Sequence, residues 1–83
     1  MSARVKLHPE LADLLRSELE TAIHEAALHR DDELIARRYL IDKWCQMDIA
    51  AELGWRRATV GDHLKYILTR VIDVANRLNT KRT

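Results

Sequence analysis

Residues 46–65 read QMDIAAELGWRRATVGDHLK, and this stretch decides the fold. Ile49 and Leu53 stand four apart before a break, and Val60 and Leu64 stand four apart after it. Each side therefore presents an apolar stripe at helical spacing. Between them Gly54 supplies the residue that tolerates the positive φ of a helix stop. Ala50 is small enough to sit where two steeply crossed helices touch, and Trp55 provides an apolar plug for the turn. Any one of these features alone would carry no weight. Together, at these spacings, they predict a helix over 46–53, a turn at Gly54 and a second helix from Arg57: a helix-turn-helix.

Reading outward toward the C-terminus, Val60, Leu64, Ile67, Val71, Val74 and Leu78 follow at spacings of 4, 3, 4, 3 and 4. One long helix over 57–78 with a heptad seam accounts for them. A recognition helix needs only about its first three turns, so the apolar extension needs a cover. The first helix can supply part of it. The spacing also suits a self-complementary seam, and a homodimer through Ile67, Val71, Val74 and Leu78 is expected, with two recognition helices on successive major-groove faces. Toward the N-terminus, Pro9 suits a first helical turn. From there Leu11, Leu14, Leu15, Leu19, Ala22, Ile23 and Ala26 fall at three- and four-residue steps, which predicts one amphipathic helix over 9–30. Asp31 or Asp32 then caps a helix over 32–44. The expectation is all-α: one domain over 1–83, a tri- or tetrahelical helix-turn-helix bundle with an extra N-terminal helix and a long C-terminal one.

Composition agrees and excludes much else. The 83 residues are 47% hydrophobic and 33% charged, with two Gly and one Pro, too apolar for a disordered tail and too poor in turn residues for an all-β fold. One cysteine, Cys45, excludes an internal disulfide framework and a cysteine zinc cluster. His24 and His29 are five apart, about 140° around a helix, where a zinc-protease pair needs four. His8 and His63 are isolated and read as surface histidines. No metal, cofactor or catalytic residue is expected, and no enzyme activity. The opening MSARVKLHPE lacks the apolar stretch of a signal peptide, and no run reaches the roughly 18 apolar residues of a membrane span. A cytoplasmic protein without a membrane partner is the expectation. Charge is divided: residues 1–33 hold four basic against eight acidic residues, net −4, and residues 34–83 hold ten against five, net +5. A basic half suits a polyanion.

Residues 34–72 carry a resemblance. ARRYL at 36–40, CQMDIAAELGW at 45–55 and RRATVGDHLKYIL at 56–68 resemble the DNA-binding domain of sigma-70-type region 4 and of related small phage and mobile-element transcription regulators. The resemblance covers just under half of the chain. It implies that 46–53 is the supporting helix and that 57–68 starts the recognition helix in the major groove of double-stranded DNA. Arg56, Arg57, Ala58, Gly61, Asp62 and Lys65 would then face the groove, with Thr59 beside them and Gln46 near the DNA backbone. The chain departs from the family at several places. Arg56 stands where Ser or Thr usually caps the recognition helix, and Lys43 where Gly is common. Ala58, Gly61 and Asp62 replace the Arg, Glu and Gln that usually read bases. Ala58 can touch a thymine methyl, and Asp62 can accept from a cytosine amine but repels phosphate. Gly61 costs the helix about 1 kcal/mol relative to Ala.

The implied function is a sequence-specific DNA-binding transcription regulator. The alternative is an adaptor that keeps the scaffold but binds a protein, such as RNA polymerase or another regulator. The two differ over Arg37, Arg38, Arg56, Arg57, Lys65 and Arg70, which should line one face if DNA is the ligand.

Overall fold

In the computed structural model, residues 9–82 are described; the start of the segment read for an export signal lies outside them. The chain forms α1 (Pro9–Ala12), α2 (Arg16–Glu25), α3 (Arg30–Ala36) running on into a π-helical turn (Arg37–Ile41), α4 (Gln46–Leu53) and α5 (Arg57–Arg82). There is no strand among the described residues.

The core explains why this order holds. α5 is the spine: α1, α2, α3 and α4 all pack against it. It contributes Val60, Leu64, Ile67, Val71, Val74 and Ala75 to one buried cluster. There they meet Leu11, Leu19 and Ile23 from α1 and α2, Ile35 and Leu40 from α3 and its π-turn, and Ile49 from α4. Burying one such side chain stabilises by roughly 1.5–3 kcal/mol, so the cluster supplies most of what holds a domain of this length together.

The heptad seam is therefore spent inside the chain. Ile67 and Val71 are fully buried, Val74 nearly so, and Leu78 is half-buried against the same cluster. Of these four residues, expected to form a dimer interface, Ile67, Val71 and Val74 are covered by the chain's own helices, and Leu78 alone keeps part of its surface exposed. The spacing was a true sign of an apolar face; its cover is intramolecular.

The N-terminal half differs from the expected single helix over 9–30. It breaks at Asp13–Leu15, and Leu15 becomes the cap of α2 with extended backbone. The Leu15 N–H donates to the Glu18 carboxylate at 2.8 Å, the reach-back half of a capping box. Leu15 consequently leaves the apolar stripe and stands 68% exposed. The next helix begins at Arg30 with His29 as its N-cap, so Asp31 and Asp32 lie within the first turn rather than at the cap. Carboxylates there still favour the positive helix end. Regular structure ends at Ile41 rather than 44, and the Trp44 N–H folds back to the Arg38 carbonyl at 2.9 Å.

Two non-glycine residues have positive φ: Ala27 at 52° and Lys43 at 63°. Lys43 is the position where the resembled family has Gly, and its ammonium donates to the Leu40 carbonyl at 2.8 Å. Ala27 lies just beyond the end of α2, and its side chain offers no such compensation. A left-handed conformation costs a non-glycine residue roughly 1–2 kcal/mol. Ala27→Gly is therefore expected to stabilise the domain by about 1 kcal/mol after the extra unfolded-chain entropy of glycine. A thermal melt should rise by about 4–8 °C, and an unchanged or lower midpoint would contradict the strain.

Candidate nucleic-acid interface

The helix-turn-helix forms where expected, and each of its parts has a local cause. α4 starts after Cys45, whose carbonyl accepts from the Ile49 N–H and whose thiol donates to the Asp48 carboxylate at 3.3 Å. It stops at Gly54, where φ is 70° and ψ is 28°. The Trp55 N–H then donates to the Ala50 carbonyl at 2.9 Å, the backbone closure that a left-handed residue makes possible. α5 opens with the Arg56 carbonyl accepting from Thr59 and Val60 at 3.0 and 3.2 Å. Arg56 thus occupies the cap position, but its side chain cannot accept from the first-turn N–H groups as Ser or Thr would. Arg56 is exposed.

Five of the eight expected DNA-facing residues come together. Gln46 of α4 and Ala58, Gly61, Asp62 and Lys65 of α5 line one open depression of about 350 Å³, together with Leu64 and Leu68 of α5 and Tyr39 of the π-turn. The α5 members fall at steps of three, one and three, which places them on one helical face. Arg56 and Arg57 stand exposed just before this face, and Thr59 is half-buried outside it. Sequence reasoning does not single out Tyr39; its nearness to the face comes from the π-turn.

The reason for Gly61 is visible. A Cβ at this position would lie 3.1 Å from Gln46 Oε1. Glycine lets the Gln46 side chain rest directly on α5. Gly61→Ala should therefore recover most of the roughly 1 kcal/mol helix penalty of glycine, because Gln46 Oε1 is the end of a flexible side chain and can move a few tenths of an ångström. Urea unfolding should show a higher midpoint with an unchanged slope. A lower midpoint would mean that the Gln46 contact is rigid and outweighs propensity.

The six basic residues are not equally free to meet a ligand. Arg37 pairs with Glu20 at 3.0 Å. Arg38 bonds Asp42 at 2.9 Å and Glu52 at 3.1 Å, and lies over the Trp44 ring at 4.9 Å. The hydrogen bonds to Asp42 and then Glu52 hold the Arg38 guanidinium more firmly protonated than usual. Arg70 donates to the Ala26 carbonyl at 2.9 Å, and its Nε is buried without a partner. Arg56, Arg57 and Lys65 are exposed and have no ion pair among the described residues. Of the six, the three left free are Arg56, Arg57 and Lys65, at the start of α5 and along its first turns.

His63 is not the isolated surface residue expected. Its Nδ1 lies 2.7 Å from Asp32 Oδ1, and its ring is 4.9 Å from the Trp55 ring, tilted by 49°. Asp32 is the buried charged residue of the described chain, at 7% exposure. Together they tie the first turns of α5 to α3 and to the turn plug. The two residues are 31 apart in sequence, so neither helical spacing nor charge pattern signals the pair.

Among the described residues, no group of three or more His, Cys, Asp or Glu side chains is arranged to hold a metal ion. No helix among them is long and apolar enough to cross a membrane. No protein-family model, curated protein or solved structure matches the chain.

Proposed function

We propose that the chain is a DNA-binding transcription regulator that inserts the start of α5 into the major groove. One observation carries this reading. The α4–Gly54–α5 unit presents Ala58, Gly61, Asp62 and Lys65 on an open face, with Arg56 and Arg57 free at its leading edge. An α-helix about 10–12 Å across fits a major groove about 12 Å wide. In this reading Arg56 and Lys65 contact phosphates, Arg57 reaches a guanine, Gln46 lies beside the backbone and Thr59 supports the helix start. Such regulators act in the cytoplasm without catalysing a reaction. A single chain presents one recognition helix, since the α5 seam is already covered.

A specific observation favours the second reading, a protein-binding adaptor on the same scaffold, with RNA polymerase or another regulator as partner. Arg37, Arg38 and Arg70 are engaged within the chain, and Tyr39, Leu64 and Leu68 give the depression apolar walls.

Fluorescence anisotropy on a mixed-sequence duplex, titrated with salt, separates the two. DNA binding should weaken linearly in a log–log plot, with a slope of about −0.9 for each phosphate contacted. No binding at 50 mM salt would leave the adaptor reading in its place.

A further inference from the structure

We infer that Asp62 sets the base preference of this interface by accepting the N4 amine of a cytosine in the major groove, an inference that rests on the DNA-binding reading.

Two features of the structure single Asp62 out. The other carboxylates of α4 and α5 are engaged: Asp48 with the Cys45 thiol, Glu52 with Arg38, and Asp73 with Arg77. Asp62 is exposed and has no partner among the described residues, although Lys65 stands three residues on, along the same face. It also lies on the open face itself, beside Ala58 and Gly61. A free carboxylate there repels phosphate, so it weakens indiscriminate binding and must gain its compensation from one base.

The chemistry of the base edges picks out which base. A carboxylate only accepts hydrogen bonds. Guanine presents two acceptors in the major groove, and thymine an acceptor and a methyl group. Adenine offers an amine flanked by the N7 acceptor, and cytosine an amine alone. Cytosine is the base edge that the Asp62 carboxylate meets without repulsion. Ala58 lies one turn earlier on the same face. Four residues advance the helix by about 6 Å, one to two base steps at about 3.4 Å each. A thymine methyl at that distance from the cytosine would pack against the Ala58 methyl.

The test is selection from a randomised duplex library by the full chain, by Asp62→Asn and by Asp62→Ala. Asp62 is exposed, so both variants should keep the wild-type circular dichroism spectrum. The wild type should enrich cytosine at one position by about fivefold to tenfold over the other bases. Asp62→Asn should move that preference to adenine, whose N6 and N7 an amide matches in a bidentate pair. Asp62→Ala should lose the preference and bind the unselected library more tightly. A cytosine preference that persists in both variants, or a wild type that binds DNA with no preference at all, overturns the role of Asp62 while leaving DNA binding intact. A wild type that retains no duplex overturns both.

Discussion

Val71→Asp is expected to unfold this domain, not to separate two copies of it. Val71 is fully buried in α5, within the cluster shared with α2 and α3. The substitution forfeits roughly 1.5–3 kcal/mol of apolar burial and leaves a carboxylate among aliphatic side chains. An unpaired buried charge adds several kcal/mol after relaxation. A domain of this length has about 4–12 kcal/mol of total stability, so the two losses together approach or exceed it. Far-ultraviolet circular dichroism should show the loss of helix at room temperature, while Leu78→Ala, at a half-buried site, should leave the spectrum intact. If Val71→Asp stayed helical and its light-scattering mass halved, the α5 seam would be an intermolecular surface after all.

That reversal shows what hydrophobic spacing can and cannot say. A 4-3-4-3-4 series establishes that one face of a helix is apolar. It does not say which surface covers the face, because the cover depends on how far the chain folds back. Here the break at Asp13–Leu15 divides the N-terminal segment into two pieces that both pack on α5. The break itself was hidden, since a cap inserted between Leu14 and Arg16 leaves the three- and four-residue steps unchanged. Glu18 makes the cap, and a Glu three residues after a Leu is no signal by itself.

The helix-turn-helix was legible for the opposite reason. Its determinants are local: a glycine at positive φ, a plug next to it, and apolar residues one turn away on each side. The bounds of α4 accordingly coincide with 46–53, and α5 begins at Arg57. Turns made by ordinary residues were not legible from the residues themselves, and only the resemblance, with Gly common at position 43, marked one of them. Ala27 and Lys43 adopt positive φ without the Gly or Asn that marks such positions. The charge pattern was legible only as a total. That Arg37, Arg38 and Arg70 are engaged while Arg56, Arg57 and Lys65 are free depends on Glu20, Glu52 and the Ala26 carbonyl arriving from other elements.

That division of the arginines yields the sharpest test of the DNA reading. Replacing Arg56, Arg57 and Lys65 together with Gln should lower the magnitude of the salt slope by about 1.8, since each of the two lost phosphate contacts, at Arg56 and Lys65, removes about 0.9. Between 50 and 200 mM salt, wild-type affinity should accordingly fall about 12-fold more than that of the triple variant. Stability should barely change, because none of the three side chains has an ion pair to lose. Replacing Arg37 and Arg38 with Gln makes the control. Both are held by carboxylates within the chain, and contacting DNA would require breaking pairs at 2.9–3.1 Å. Their loss should cost little stability, since such solvent-exposed pairs are screened by water and salt, and leave the salt slope nearly as it was. Arg57→Ala alone should weaken binding and relax the preference at one guanine by about fivefold to 150-fold. If the Arg37 and Arg38 variant lost the slope and the triple variant kept it, the contact surface would lie on the π-turn side of the domain, and α5 would not be the helix that enters the groove.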